Sequence, residues 1–295
     1  MQQMTNRILI AACAFLVLVL GAAAQRNDAE AQAWNQPVEP FRIVGNVYYV
    51  GASGVTAFLI TTPQGHILLD GGLPITAPLI EKSIRTLGFS PQDVKYLLLS
   101  HAHFDHAGGL AELKRTTKAR LLVSREDAPM LRSGGKGDFS FGDRFVFPAV
   151  EPDQLIENGQ AVSLGGTTLT AHVTPGHTKG CTTWTMTANE GGRAHPVLFH
   201  CSTTVPGHRL VNNAAYPEIV ADYEGSFRTL RALPCDVLLA PHAGFFQLQE
   251  KRGKMREGGA NPFVDAKGCA AFIERSATEF RAELERQRKA AQNGG

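Results

Sequence analysis

Apolar residues between positions 41 and 70 come in short runs: Phe41-Arg42-Ile43-Val44, Val47-Tyr48-Tyr49-Val50, Thr56-Ala57-Phe58-Leu59-Ile60 and His66-Ile67-Leu68-Leu69-Asp70. Gly45-Asn46, Gly51 and Pro63-Gln64-Gly65 separate them, a pattern of short strands joined by turns. Over residues 77–87 the spacing becomes helical, with Leu79, Ile80, Ile84 and Leu87 on one side and Gly88 as the stop. Residues 94–99 read as a buried strand, 109–117 as a helix and 121–123 as another strand. A second strand-rich stretch covers 161–164, 167–172, 182–187 and 196–199. A helix around 223–230, a strand at 237–240 and a terminal helix follow. In that last helix Phe272, Ile273, Phe280 and Leu284 form an apolar face suited to docking on the chain's own core. Strands followed by helices, twice over, predict an α+β fold of two packed sheets with helices outside.

The opening residues follow a different pattern. Arg7 is the only charge before an apolar run from Ile8 to Leu20, and Gly21-Ala22-Ala23-Ala24 precedes polar Gln25. This is the layout of a secretory signal peptide over residues 1–24, leaving residues 25–295 as a single domain exported to the periplasm. The apolar run is shorter than the roughly 20 residues a membrane span needs, so no stable membrane insertion is expected after cleavage. Cys13 lies inside the apolar run, which argues against a lipid-anchored form. Removing that segment lowers the formal net charge from +2 to +1, because Arg7 is its one charge. A nearly neutral chain lacks the electrostatic footprint of a nucleic-acid binder. Cys181, Cys201, Cys235 and Cys269 remain, an even set consistent with disulfides in any of three pairings.

The chemistry concentrates in His101-Ala102-His103-Phe104-Asp105-His106, directly after the apolar run at 94–99. Three imidazoles and a carboxylate within six positions suit a divalent metal such as zinc. In extended backbone His101 and His103 project to the same side and can share one ion, while Asp105 and His106 reach a second after the chain turns. His177 and His242 each follow a strand and sit in turn sequences, Pro175-Gly176-His177-Thr178 and Pro241-His242-Ala243-Gly244, so each can complete one site. His66, His172, His195 and His208 carry no such signal and read as ordinary surface or core residues. Residues 133–142, rich in glycine and carrying Phe139 and Phe141, read as a flexible loop.

His-x-His-x-Asp-His, the Asp70-Gly71-Gly72 turn, Pro-Gly-His-Thr and the late Pro-His together resemble the metallo-β-lactamase superfamily. The resemblance implies a four-layer αβ/βα sandwich with a groove for two zinc ions along one edge. It spans nearly all of the mature chain. The residue aligned with the bridging aspartate of glyoxalase-like relatives, or with the cysteine ligand of subclass 1 enzymes, is Ser202. That substitution is similar to class B, subclass 3 β-lactamases, as are Trp34-Asn35-Gln36-Pro37 and the Pro206-Gly207 turn. A one-residue slip would instead make Cys201 a thiolate ligand.

By this resemblance His101, His103 and His177 hold one zinc, and Asp105, His106 and His242 hold the other. It further implies catalysis by a hydroxide shared between the ions, with Asp105 orienting it, so that the lactam ring of penicillins, cephalosporins and carbapenems is opened and antibiotic resistance results. Ser202 and Thr204 are implied substrate contacts, Asp70 a residue that orients the metal-bearing loop, and Cys235–Cys269 and Cys181–Cys201 the disulfides. Lys179 stands where many relatives carry proline, as a solvated charge or as an anchor for a substrate carboxylate. A monomer acting on a small-molecule β-lactam is expected. The alternatives are another dinuclear zinc hydrolase, a thioesterase or lactonase, or a zinc-binding protein without catalysis. The scaffold alone does not choose between these chemistries.

Overall fold

The computed structural model describes residues 29 and 31–293, and the expected signal peptide lies outside the described residues. Two sheets pack face to face. The first has seven strands in chain order: β1 (Phe41–Val44), β2 (Val47–Tyr49), β3 (Phe58–Thr62), β4 (Gly65–Leu69), β5 (Val94–Leu98), β6 (Arg120–Ser124) and β7 (Gln154–Ile156). Strands β1 to β4 are antiparallel, whereas β4 to β7 are parallel and connected through helices. The second sheet runs β12-β11-β10-β9-β8, from β8 (Ala161–Leu164), β9 (Thr167–Val173), β10 (Thr182–Glu190), β11 (Arg193–Phe199) and β12 (Val237–Leu239). Only its β11–β12 pair is parallel.

The alternation of strand side chains explains the layering. In β4, Ile67 and Leu69 enter the core between the sheets with Phe58, Trp184 and Phe199. Leu68 points the other way, joining Leu97, Leu121, Ile80, Ile84 and Leu113 beneath the outer helices. On the far side Phe227, Phe272 and Phe280 bring the helices Ile219–Ala232 and Ala266–Asn293 onto the second sheet. The result is the expected four-layer arrangement, helices outside two central sheets. Cys235–Cys269 ties the lead into β12 to the terminal helix, and Cys181–Cys201 links the entry of β10 to the exit of β11.

Several elements differ from the sequence reading. Residues 94–99 are not buried throughout: Lys95 is exposed and Tyr96 half-buried at the start of β5. The helix expected over 109–117 is preceded by a separate helical turn, Phe104–Ala107, so Asp105 and His106 are helical residues. Strand β7 and the helices Ala128–Ser133 and Leu248–Glu257 had no expected counterpart. The first two are very short, and the third buries only Leu248 and Lys251, too little for an apolar period to show.

Strands β4, β5 and β6 of one sheet, and β9, β11 and β12 of the other, all end at the same edge. There the sheets are joined by hydrogen bonds from the Thr182 amide to the Ser100 carbonyl, 2.8 Å, and from the Trp184 indole to the Leu99 carbonyl, 3.1 Å.

Candidate metal centre

The six expected ligand residues meet at that edge. His101, His103 and His177 offer nitrogens within 4.8 Å of one another, all on buried side chains. His103 Nδ1 and His177 Nε2 lie 3.1 Å apart, too close for two lone pairs unless a proton or a cation stands between them. The Ser100 hydroxyl meets His101 Nδ1 at 3.1 Å, leaving His101 Nε2 buried without a hydrogen-bond partner. His177 Nδ1 donates to the Thr204 carbonyl at 2.9 Å, which turns its Nε2 inward.

The second group converges on one oxygen. Asp105 Oδ2 lies 3.2 Å from His106 Nε2 and 3.3 Å from His242 Nε2. The tight trio on this side is His101, Asp105 and His106, with His242 completing the rim from the opposite sheet. His101 thus stands between both groups, its ring centroid 4.4 Å from that of His106. His242 reaches this point because its segment pairs with the loop before β3: Val55 bridges to His242, the Thr56 amide donates to Pro241 O at 3.0 Å, and Ala243 N to Gly54 O at 3.0 Å. The rings of Trp34 and Phe245 meet that of His242 edge-on at 5.3 and 5.2 Å.

Electrostatics favour a cation. Burial and the neighbouring histidines hold His101 and His177 well below the ordinary histidine range, so their lone pairs are free. Burial pushes the Asp105 carboxyl up, but His106 and His242 beside it outweigh this and hold it well below the usual carboxylate range. Five imidazoles, one ionised carboxylate and buried nitrogens without a hydrogen-bond partner on His101, His103 and His106 fit divalent metal.

Two buried carboxylates brace the segment from behind. Asp70, in left-handed backbone (φ 68°) after β4, accepts from the Ser100 amide at 2.7 Å and lies 3.9 Å from His106 Nδ1. Burial raises its pKa to about 6. Its carboxylate thus serves as an acceptor for the Ser100 amide and stands close behind the His106 ring. Asp127, which the sequence reading missed, accepts from the Ala102 amide, the Thr178 hydroxyl and the Gly180 amide, each at 2.9 Å. One side chain therefore fixes the His101 and His177 segments together. Gly180 is needed for this, since a Cβ there would lie 2.2 Å from Ser124 Oγ and 2.5 Å from Asp127 N.

Above the ligands runs a groove of about 560 Å³. Trp34, Phe104, Phe141, Phe145 and Val146 supply apolar wall, and Arg144 a cation. The remaining expected residues fall as follows. Thr204 lines the groove, and Ser202 is buried beside it, its hydroxyl 3.1 Å from that of Thr204. Cys201 is bonded to Cys181 and is no thiolate ligand. Lys179 is occupied elsewhere, donating to Ala215 O at 3.1 Å and lying over the Tyr216 ring. His208, read as an ordinary residue, is buried against the cluster with its ring 5.4 Å from that of His177 and stacked on Phe139 at 5.0 Å. Burial lowers its pKa to about 4. Its one sequence signal was adjacency to the Pro206-Gly207 turn. The loop at 133–142 packs against the site: Asp138 Oδ2 lies 3.4 Å from His103 Nε2.

With this geometry in view, the likeness to known proteins is specific. The family model described as the metallo-beta-lactamase superfamily matches residues 50–242. The native FEZ-1 metallo-beta-lactamase from Legionella gormanii is 45% identical, with a TM-score of 0.85, covering 86% of this chain and 98% of that one. BJP-1, a subclass B3 metallo-beta-lactamase of Bradyrhizobium japonicum, is 40% identical at a TM-score of 0.82, covering 88% and 98%. Among curated proteins, the N-acyl homoserine lactonase AttM of Agrobacterium fabrum is 31% identical over 157 residues, 43% of this chain. The chain spans only 57% of that relative's length.

Proposed function

This chain belongs to the metallo-beta-lactamase superfamily of hydrolases, and we propose that within it the protein opens the lactam ring of β-lactam antibiotics using two zinc ions. The observation that carries this reading is the convergence of His101, His103, His177, Asp105, His106 and His242 at the foot of one groove. The whole-length likeness to subclass B3 enzymes supports the substrate class.

His101, His103 and His177 would hold one ion, and Asp105, His106 and His242 the other. Zinc so held supplies a water acidic enough to attack near neutral pH and a Lewis acid for the carbonyl. The chain's own residues do the rest. Asp105 is ionised and its Oδ2 faces the space shared by both groups, so it orients the attacking water and carries a proton towards the leaving nitrogen. Arg144 and the Thr204 hydroxyl, both lining the groove, are placed to hold the substrate carboxylate. The apolar wall takes the acyl substituent and displaces water. No side-chain nucleophile takes part, so no acyl-enzyme accumulates.

Two disulfides support export to an oxidising compartment, the periplasm, where such an activity confers resistance. Among the described residues no helix is long and apolar enough to cross a membrane. Purified mature protein loaded with zinc is expected to hydrolyse a chromogenic cephalosporin, a penicillin and a carbapenem, and to lose this with a chelator. Intact β-lactam after prolonged incubation sinks the assignment. A lactonase is the second reading, favoured by the partial likeness to AttM. Turnover of an acyl homoserine lactone faster than of any β-lactam, measured on the same zinc-loaded sample, would select it.

A further inference from the structure

The glycine-rich loop reaches the centre through one side chain. Asp138 N donates to Gly142 O at 3.1 Å and Gly142 N to Asp138 O at 2.9 Å, closing a small antiparallel bridge. Inside it, Asp138 Oδ1 accepts from the amides of Ser140 and Phe141, both at 2.8 Å. The loop's own backbone therefore fixes the carboxylate and leaves Oδ2 pointing outward. That oxygen faces His103 Nε2, a buried nitrogen without a hydrogen-bond partner, at 3.4 Å, with the Asp138 side chain only 7% exposed. His103 Nδ1, on the opposite side of the ring, faces His177. The next aromatic residues of the loop pack on the same group: Phe141 lies 5.4 Å edge-on to His103, and Phe139 stacks on His208.

We propose that Asp138 is a positioning residue that couples zinc binding at His103 to ordering of the loop that roofs the groove. The proposal rests on His103 being a zinc ligand through Nδ1. A histidine bound through Nδ1 must keep its proton on Nε2, and the only carboxylate the structure brings to that nitrogen, among the described residues, belongs to Asp138. Accepting that proton selects the binding tautomer, orients the ring and raises its basicity. Because the same carboxylate closes the loop's turn, the effect is reciprocal: zinc pins the loop, and an ordered loop tightens zinc. The site thereby assembles its floor and its roof in one step.

Asp138→Asn discriminates this from a purely structural role. The amide oxygen still accepts from Ser140 and Phe141, so the turn survives, but an NH₂ replaces the acceptor facing His103. Two measurements on full-length mature protein, with zinc alone and no antibiotic, test the idea. Competition with a chromogenic chelator should show the tighter zinc weakened about 10- to 100-fold in Asp138→Asn, with Asp138→Glu restoring part of the loss. Hydrogen exchange of residues 134–146 should slow on adding zinc to wild type, and much less so in Asp138→Asn. Zinc affinity equal to wild type in Asp138→Asn, or zinc-induced protection of the loop that is unchanged in it, would overturn the proposal. If Asp138→Asn unfolds, Asp138→Glu alone still decides, since an intact carboxylate displaced by one methylene should give intermediate affinity and protection. The result is independent of substrate: wild type that binds zinc and orders its loop yet leaves β-lactams intact would retire the assigned reaction and leave the coupling standing.

Discussion

The floor and the roof of the groove are built differently. The floor is backbone held by buried charge: Asp70 and Asp127 together take the amides of Ser100, Ala102 and Gly180 and the Thr178 hydroxyl. Ligands that must sit within fractions of an ångström are thus fixed by strand ends from two sheets. The roof, residues 134–146, contains no strand or long helix; ring contacts, a few turn hydrogen bonds and the carboxylates of Asp138 and Asp143 hold it, and of these carboxylates Asp138 faces the histidines. Rigid support goes where geometry decides chemistry, and adaptable aromatic surface goes where the groove must accept different substituents.

The sharpest test of that division lies at His101. Because it stands between both ligand groups, His101→Ala should lower turnover by at least about 1000-fold and cost one or more zinc per chain by metal analysis. Retention of both metals would detach it from the floor. Asp127→Ala comes next. It leaves two amides and a hydroxyl buried without an acceptor, so unfolding free energy should fall by about 3 kcal/mol or more in a denaturant titration, with zinc weakened as well. If Asp127→Ala proves as stable as wild type, the bracing account is wrong.

Beneath the floor, His200 is buried against Phe272, and burial pushes its pKa down to about 4. An unfolded histidine titrates near 6.5, so as pH falls the unfolded chain takes the proton first. His200 therefore contributes stability that is present above about pH 6.5 and is lost as pH falls to about 4, on the order of 3 kcal/mol. His200→Gln should flatten the stability profile across that window, and parallel profiles would contradict the sign. On the roof the effects should be smaller and of another kind. Phe141→Ala is expected to raise KM several-fold with kcat nearly unchanged, about 1 kcal/mol of binding. A matching fall in kcat would show that the roof takes part in the chemistry. Lys179→Ala, whose ammonium is engaged with Ala215 and Tyr216, should alter kcat/KM by less than about twofold.

The convergence of the floor's candidate ligands was legible in the sequence because their chemistry is local: a dense histidine cluster after a strand, and histidines in turn sequences after two others. The layered α+β architecture was legible through period-two and helical spacing. Asp127 was not, because Arg125-Glu126-Asp127 looks like any polar turn until folding brings Gly180 and Ala102 to it. Asp138 and His208 were missed for the same reason. Their partners lie 35 and 31 residues away, and a glycine-rich loop carries no period from which a contact can be read. Ser202 shows the converse: alignment brings it to the site, but its burial and its hydroxyl contact with Thr204 become visible only in the packed structure.

The bridge between Val55 and His242 bears on how the protein comes into being. His242, the last of the six candidate ligands, joins the others only where the segment after the final strand meets a loop made near the beginning of the chain. Partners so remote in sequence associate slowly. On the proposed assignment a nascent or clipped polypeptide would lack a complete site, and metal capture would report that both halves have come together.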